Sequence, residues 1–183
     1  MVILASQSPR RKELMEKLNI PFTVRVADID ETPVPKLSAE ENVARLSRRK
    51  AEAIPRQPED IVVAADTIVV LDGEQLGKPK DREEAVLMLT RLSGRAHQVM
   101  TGLTLLQGEK AVTHTEITEV FFRQLSEDEI DAYAASGDCD DKAGAYGIQS
   151  GAAVFVEKIC GDYYNVVGLP VCRLACILKE DFL

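Results

Sequence analysis

IVVAADTIVVLDGEQLGKP, Ile61 to Pro79, is the stretch that decides the fold of this 183-residue chain. Its first half is a nearly pure apolar run, which is typical of a buried strand. Asp72-Gly73 then predicts a tight hairpin turn, because both residue types accept the left-handed backbone conformation that such a turn needs. The stretch therefore predicts a long buried strand followed by a hairpin.

Strand-like and helix-like runs alternate on both sides of this stretch. The predicted strands are VILAS, FTVRVADI, HQVMTGLTLL, AVTHTEITEVFFRQ, AAVFVEKI and YYNVVG. Helices are predicted over 9–19, 38–54, 82–92, 127–135 and the closing LPVCRLACILKE. Because strands come both as hairpins and in alternation with helices, we expect an α/β fold with a mixed central sheet flanked by helices, with two lobes around a cleft.

Composition limits what the chain can be. With 45% hydrophobic residues it is long enough to bury roughly 70% of its unfolded surface, and a single domain over residues 1–183 is expected. A net charge of −8 argues against binding of nucleic-acid polymers, although it leaves room for a local site for one small anion. The opening MVILAS is too short for a signal peptide or a membrane span, so we expect a cytoplasmic protein without a membrane partner.

Cysteines and histidines offer little for catalysis. The four cysteines show no C-x-x-C spacing, and Cys172 and Cys176 are predicted to be buried thiols of an apolar helix. The two histidines, His97 and His114, are isolated in the sequence. A three-histidine zinc site is therefore excluded, and neither histidine lies in a context that indicates a Ser-His-Asp or Cys-His unit.

Near the N-terminus, SQSPRR places serines, a proline and two arginines where a strand passes into a helix. Ser8 suits the N-cap and Pro9 the first helical position, and the free backbone N–H groups there carry a partial positive charge. Arg10 and Arg11 add to that charge, which is unfavourable unless an anion lies between them. The stretch therefore indicates a phosphate site. Two solvated surface arginines are the alternative.

Asp66 interrupts the apolar run. A buried carboxylate without a partner costs on the order of several kcal/mol, so it is paired, bound to a cation or placed beside a cleft. Carboxylates suit both Mg²⁺ binding and proton transfer, which makes Asp66 a candidate metal ligand or general base. A structural turn between two short strands is the alternative.

Two further segments offer charged groups near such a site. ADIDET carries Asp28, Asp30 and Glu31 after a predicted strand; either they are solvated, or one of them completes a divalent-cation site with Asp66. Lys50 lies on the apolar face of its helix. It either extends its ammonium group outward to solvent or reaches into a cleft.

Lys78 and Gln149 complete the candidate residues. Lys78 lies between a glycine and a proline, where the backbone can approach a phosphate, although the glycine spacing of a P-loop is lacking. Gln149 ends the glycine-rich loop DKAGAYGIQ and offers both a donor and an acceptor to a base edge; an ordinary loop over a packed tyrosine is the alternative. Cationic groups, carboxylates and a polar loop together suit metal-assisted hydrolysis of a phosphoanhydride.

The chain resembles the Maf family of nucleoside triphosphate pyrophosphatases in six motifs: LASQSPRR, ADIDET, AADTIVVLDGEQLGKP, HQVMTG, DKAGAYGIQ and NVVGLP. The resemblance implies a mostly antiparallel sheet of the Maf/ITPase-like kind, with the active site between two lobes, in a cytoplasmic protein that is often a homodimer. It also implies hydrolysis of a nucleoside triphosphate to the monophosphate and pyrophosphate with Mg²⁺ or Mn²⁺, by water attack at the α-phosphorus.

The resemblance further implies roles for individual residues. Asp66 corresponds to the proton-acceptor aspartate of the family and shares the metal with Glu31. The expected substrate-binding residues are Ser6, Ser8, Arg11, Lys50 and Lys78. The positions that distinguish a dTTP/UTP subgroup from a 7-methyl-GTP subgroup carry Arg10, Thr67 and Gln149 here, which resembles the dTTP/UTP subgroup.

Two further functions are compatible with the same motifs. Maf proteins have also been described as septum-formation inhibitors, so the chain could be a nucleotide-binding regulator of septation with little catalysis. Such a regulator would need the phosphate site but not Asp66 and Glu31 as a pair. A pyrophosphatase directed to 7-methyl-GTP, or to ITP and XTP, would keep the catalytic residues and differ in the base that it recognises.

Overall fold

The protein is described by a computed structural model that covers residues 1–26 and 28–183. Its strands are β1 (Val2–Leu4), β2 (Phe22–Val24), β3 (Ile61–Leu71), β4 (Glu74–Leu76), β5 (Ala96–Gln107), β6 (Lys110–Phe122) and β7 (Val156–Cys160). Its α-helices are α1 (Pro9–Glu16), α2 (Ala39–Glu52), α3 (Arg82–Leu92), α4 (Glu127–Ala135), α5 (Tyr163–Val167) and α6 (Val171–Ile177). Shorter helical turns are Ala143–Ala145, Gly151–Phe155 and Leu178–Phe182.

A mixed sheet organises the molecule. Its strand order is β2-β1-β3-β5-β6-β7, and β4 pairs separately with the end of β3. β1 runs parallel to both β2 and β3, whereas the remaining strand pairs are antiparallel. The expected mixed, mostly antiparallel α/β fold is confirmed.

β3 is the buried strand that the sequence predicts. Its residues point alternately to the two faces of the sheet, so Val63 and Ala65 join the large core with α1 and α3, while Val62 and Ala64 join a smaller core with α2. Burial on both faces explains why the run is apolar without alternation. The predicted hairpin turn also forms, with positive φ angles at the Asp72-Gly73 pair.

A glycine in β5 sets the distance between α2 and the sheet. Gly102 lies opposite Asp66 in the β3–β5 register. A Cβ atom at Gly102 would lie 2.3 Å from the carbonyl oxygen of Val43 in α2, closer than any real side chain approaches. The missing side chain therefore lets α2 pack against the sheet beside Asp66.

The helix boundaries follow the capping signals. Ser38 with Glu41 and Ser126 with Glu129 form capping boxes at the starts of α2 and α4. The Asp81 side chain caps α3 by accepting the Glu84 N–H. Within the described residues, no helix combines the length and the apolar character that crossing a bilayer requires.

The strand prediction for YYNVVG is wrong. Residues Tyr163–Val167 form helix α5, because the Asp162 side chain accepts the Tyr164 N–H at its start and Gly168, with a φ of 125°, ends it. A short apolar run suits either a strand or one helical turn, and the capping residues decide between them here.

Two further strand predictions extend too far. FTVRVADI forms a strand over only Phe22–Val24, and Ala27 within it lies outside the described residues. AAVF belongs to a 3₁₀ turn, so that β7 begins at Val156.

Cys172 and Cys176 are exposed rather than buried, and that prediction is also wrong. α6 buries Leu174 and Ile177 instead, which share one helical face, and this places both thiols on the other side.

Candidate active site

One cleft of about 1200 Å³ is lined by every residue to which the family resemblance assigns a role in catalysis, substrate binding, metal binding or specificity. These residues are Ser6, Ser8, Arg10, Arg11, Glu31, Lys50, Asp66, Thr67, Lys78 and Gln149. The volume is large enough for a drug-sized or nucleotide-sized ligand. The sequence stretches that supply the residues are far apart, and the sheet brings them together.

The start of α1 opens into this cleft. Ser8 is its N-cap and accepts the Arg11 N–H at 3.4 Å, while the Ser8 N–H is donated to Ser6 Oγ at 3.2 Å. The first turn contains no acidic residue, so no side chain of that turn offsets the positive end of the helix dipole. This arrangement suits a bound anion.

Arg11 is held firmly at the base of that helix end. Its Nε donates to Gly168 O at 2.8 Å, Nη2 to Thr67 Oγ1 at 3.0 Å, and Nη1 to Ser6 Oγ at 3.5 Å. Burial lowers the pKa of Arg11, against the opposing effect of the negative charge of Asp66. A guanidinium has five N–H donors, so these contacts leave two for an anion.

Arg10 has a different environment from its neighbour. Its Nη1 lies 3.3 Å from Asp141 Oδ2 in an exposed ion pair at the edge of the cleft. Both arginines are partly buried, but they differ in their partners: three hydrogen bonds hold the guanidinium of Arg11, whereas Arg10 makes one exposed ion pair.

Lys50 reaches into the cleft, which decides between the two interpretations of its sequence position. Its Nζ lies 2.7 Å from Asp66 Oδ1 and 3.0 Å from Glu31 Oε1. The side chains of Lys50 and Asp66 expose only 14% and 11% of their surfaces, whereas that of Glu31 is 60% exposed. α2 and β3 thus present a largely buried ion pair to the cleft, and Glu31 adds a second carboxylate from the loop before α2.

Asp66 and Glu31 have the chemistry that a hard divalent cation requires. Both offer carboxylate oxygens, and both already lie around one positive group, the Lys50 ammonium. Across residues 1–26 and 28–183, no group of three or more His, Cys, Asp or Glu side chains could hold a metal by itself. Mg²⁺ commonly takes one or two carboxylates and completes its shell with phosphate oxygens and water, so the pair fits such an ion.

The remaining acidic residues of ADIDET separate. Asp28 lines the cleft, whereas the carboxylate of Asp30 accepts the backbone N–H of Thr32 at 2.9 Å. Hydrogen bonds from Thr32 lower the pKa of Asp30. Asp30 therefore belongs to a local turn and is not a cleft residue.

A second charged group in the cleft went unnoticed in the sequence. Lys142 Nζ lies 3.2 Å from Asp138 Oδ1 and 2.8 Å from Asp141 Oδ1. Asp138 also accepts the hydroxyl protons of Tyr133 and Ser150. The charged residues of CDDK were a local signal in the sequence. The hydroxyl groups that bind Asp138 could not be found in the same way, because they come from Tyr133 in α4 and from Ser150 at the far end of the loop.

His97 is a second residue whose importance the sequence did not reveal. It is 3% exposed, and burial lowers its pKa to about 4. Its Nε2 lies 2.8 Å from the hydroxyl of Tyr146, a residue of the loop that carries Gln149. His97 therefore supports one wall of the cleft as a neutral side chain.

Comparison with known proteins places the chain in a family. The model of the family described as Maf-like protein matches residues 1–181. A dTTP/UTP pyrophosphatase of Symbiobacterium thermophilum is 53% identical over 98% of this chain and 93% of its own length. A dTTP/UTP pyrophosphatase of Bacillus velezensis is 51% identical, with 98% and 95% of the two chains covered.

Solved structures share the fold at low sequence identity. A HAM1 protein from Coxiella burnetii matches with a TM-score of 0.54 at 16% identity, over 98% of each chain. The Ham1 protein of Staphylococcus aureus matches with a TM-score of 0.51 at 15% identity, also over 98% of each chain. With a family match over nearly its whole length, the chain belongs to the Maf-like protein family.

Proposed function

We propose that this protein hydrolyses dTTP and UTP to the nucleoside monophosphate and pyrophosphate. The substrates are those in the names of relatives that are 51–53% identical over 97–98% of the chain. The geometric observation that carries the proposal is that Lys50, Asp66 and Glu31 share one cleft with Arg11 and the open start of α1. A carboxylate beside a phosphate-binding helix start suits hydrolysis of a phosphoanhydride.

The triphosphate binds, in this proposal, at the start of α1. Ser6, Ser8 and Arg11 all line the cleft, so their hydroxyls, the free backbone N–H groups of the helix start and the two remaining donors of Arg11 are the groups that bind phosphate oxygens. Lys78 lines the same cleft and adds positive charge. Such charge-assisted hydrogen bonds are stronger than neutral ones, and they fix the orientation of the phosphates.

Asp66 accepts a proton from the water that attacks the α-phosphorus. Its carboxylate is held by Lys50 at Oδ1, which leaves the other oxygen to accept a hydrogen bond from water. The ammonium group of Lys50 places positive charge beside the negative charge that develops on the phosphate.

A divalent cation such as Mg²⁺ or Mn²⁺ fits the proposal on grounds of charge. Among the described residues, the cleft is lined by five basic side chains, Arg10, Arg11, Lys50, Lys78 and Lys142, and by six acidic ones, Glu13, Asp28, Glu31, Asp66, Asp138 and Asp141. These side chains do not outweigh the charge of a triphosphate. An ion held by Asp66 and Glu31 would add the missing positive charge and polarise the phosphate.

Base choice is assigned to Arg10, Thr67 and Gln149. Arg10 and Gln149 are at the accessible part of the cleft, where a base would be recognised after the phosphates have bound. Replacing Arg10 with Trp should lower the rate on dTTP relative to that on 7-methyl-GTP. The homodimer and the cytoplasmic location stay predictions.

A nucleotide panel tests the proposal. Purified protein with Mg²⁺ is assayed for pyrophosphate release from dTTP, UTP, 7-methyl-GTP, ITP and XTP. Fastest release from dTTP and UTP is expected. Fastest release from 7-methyl-GTP, ITP or XTP would indicate a different base preference. Tight dTTP binding without release under Mg²⁺ or Mn²⁺ would indicate a nucleotide-binding regulator instead of an enzyme.

A further inference from the structure

Thr67 lines the cleft, but its hydroxyl is hydrogen-bonded to other residues of the protein. It accepts Arg11 Nη2–H at 3.0 Å and lies 2.9 Å from the hydroxyl of Thr101 in β5. Gly168 O is a more distant neighbour at 3.5 Å. A hydroxyl has a single proton to donate, so its partners determine what Thr67 can offer a ligand.

The carbonyl of Asn165 gives this set of hydrogen bonds one direction. Thr101 donates its hydroxyl proton to Asn165 O at 3.2 Å. Thr101 is then the acceptor in its 2.9 Å contact with Thr67, and Thr67 is the donor. The hydrogen bonds therefore run from the Arg11 guanidinium through the hydroxyls of Thr67 and Thr101 to the backbone carbonyl of α5. We call this set of four residues, Arg11, Thr67, Thr101 and Asn165, the Arg11 relay.

Asn165 anchors the inner end of the relay. It is fully buried, and its Nδ2 donates to Val99 O at 3.1 Å and to Thr118 Oγ1 at 3.0 Å. These bonds fix α5 against β5 and β6. Gly168, just after α5, supplies the carbonyl that receives Arg11 Nε–H. One short helix thus holds the guanidinium at two places, directly through Gly168 and indirectly through the relay.

We propose that Thr101 and Asn165 are positioning residues for substrate binding, which fix the guanidinium of Arg11 through Thr67. Neither residue lines the cleft, so both act at a distance from the ligand. Any contribution of Thr67 to base choice is then indirect and passes through Arg11, because its hydroxyl proton is donated to Thr101. The inference rests on the proposed function, in which Arg11 binds the triphosphate.

The relay matters because Arg11 is a partly buried charge whose guanidinium is held by three hydrogen bonds. A guanidinium that loses one fixed acceptor can turn, and its two remaining donors then no longer point to one place in the cleft. Hydrogen bonds to charged groups contribute more than neutral ones, so breaking the relay at Thr101 should weaken the binding of phosphate.

Thr101→Val removes the relay hydroxyl with little change in volume. Thr104→Val is the matched control, since Thr104 is also a fully buried hydroxyl of β5. Thr104 bonds to Ser47 and Thr113, away from Arg11. Thr101→Ser keeps the hydroxyl and serves as the rescue. Thermal melting confirms that each variant is folded before its kinetics are measured.

The expected result is a rise of about tenfold in the KM for dTTP in Thr101→Val, with kcat within about threefold of wild type. Thr101→Ser and Thr104→Val should keep KM within about twofold. In an Arg11→Ala background, Thr101→Val should add less than about a twofold loss, because the relay has no other target. An equal rise in KM for Thr104→Val, or the full tenfold loss in the Arg11→Ala background, would overturn the proposal.

Binding of inorganic tripolyphosphate tests the role of the relay in phosphate binding independently of the hydrolytic activity. If wild type fails to hydrolyse dTTP and UTP, the proposed function is wrong, but calorimetry with tripolyphosphate still tests the relay. About tenfold weaker binding by Thr101→Val than by wild type and Thr104→Val supports it. Equal binding by wild type, Thr101→Val and Arg11→Ala rejects it.

Discussion

Two lysines of the cleft each lie between two carboxylates, but they are held in different ways. Lys50 contacts Asp66 and Glu31, and Lys142 contacts Asp138 and Asp141. Their side chains are similarly buried, with 14% and 13% of the surface exposed. Each group therefore combines one largely buried lysine with two carboxylates, and the two groups differ most clearly in the hydrogen bonds around those carboxylates.

The Lys142 group is filled with local partners. Burial alone would raise the pKa of Asp138, but hydrogen bonds from Ser150, Tyr133 and Lys142 outweigh it and lower that pKa. Tyr133 in turn accepts the Gly147 N–H at 3.1 Å, and burial together with Asp138 raises its own pKa. This group ties the loop of residues 138–150 to α4.

In the Lys50 group, the carboxylate of Asp66 keeps acceptor positions that no other side chain occupies among the described residues. Within the described part of the chain, the Asp66 carboxylate accepts a hydrogen bond from Lys50 alone, and it lines the cleft. A carboxylate with unused acceptor positions can bind water or a cation. The two groups thus differ in hydrogen-bond saturation, which supports the proposal that the Lys142 group is structural and the Lys50 group chemical.

Asp66→Asn should give the largest effect. It removes the proposed proton acceptor, and we expect about a 10³-fold fall in kcat on dTTP. The fold should persist, because Lys50 keeps Glu31 as a partner. Pyrophosphate release and thermal melting measure both properties. Asp72→Asn, which alters an exposed ion pair with Arg95, is the control. A wild-type rate in Asp66→Asn would remove the distinction between the two groups.

His97→Phe tests the contact of His97 with Tyr146, which supports the loop of residues 138–150. The folded pKa of about 4 is below the ordinary value of 6.5, so protonation favours the unfolded chain. The stability from neutral His97 is present above pH 6.5 and is lost as the pH falls towards 4. Wild type should lose about 3 kcal/mol more than the variant across this window.

Urea unfolding at a series of pH values measures this difference. His114→Gln is the control, since His114 is half-buried and contacts Glu116 rather than the loop. Parallel pH profiles for wild type and His97→Phe would show that His97 does not supply the pH dependence.

Asp138→Ala should affect stability more than chemistry. It removes the acceptor for Tyr133 and Ser150, and we expect the free energy of unfolding to fall by about 2 kcal/mol. The kcat on dTTP should change by less than about tenfold, far less than in Asp66→Asn. Denaturant unfolding and steady-state kinetics provide the two values. A catalytic loss as large as that of Asp66→Asn, with stability unchanged, would reverse the two assignments.

Asp141→Asn should have the smallest effect. Its side chain is 64% exposed, so its contacts with Arg10 and Lys142 are both screened by solvent, and the free energy of unfolding should change by less than about 0.5 kcal/mol. Urea unfolding at low and high salt measures the change. A loss above about 1 kcal/mol that disappears at high salt would show that the edge of the cleft contributes more than its exposure suggests.

Much of the fold and of the cleft could be predicted from local patterns. β3 follows from an apolar run, the hairpin from Asp72-Gly73, and the start of α1 from Ser8-Pro9. Asp66 stood out because a carboxylate in an apolar run needs a physical reason. Each of these signals lies within a few neighbouring residues.

The contacts that fix Arg11 and His97 join distant parts of the sequence, and local patterns could not predict them. Arg11 donates to the backbone carbonyl of Gly168, 157 residues away, and a carbonyl leaves no mark on residue identity. The apolar run of α5 is only one turn long and suits a strand equally well, so the local pattern does not identify it as a helix. His97 and Tyr146 meet only once the sheet has formed, 49 residues apart in the sequence.

Hydrolysis of dTTP in water enriched in ¹⁸O, with Mg²⁺ present, tests the central claim most directly. Attack of water on the α-phosphorus, assisted by Asp66, predicts one ¹⁸O atom in dTMP and none in pyrophosphate, at a rate that falls about 10³-fold in Asp66→Asn. Label in pyrophosphate, or equal turnover by wild type and Asp66→Asn, would contradict the account.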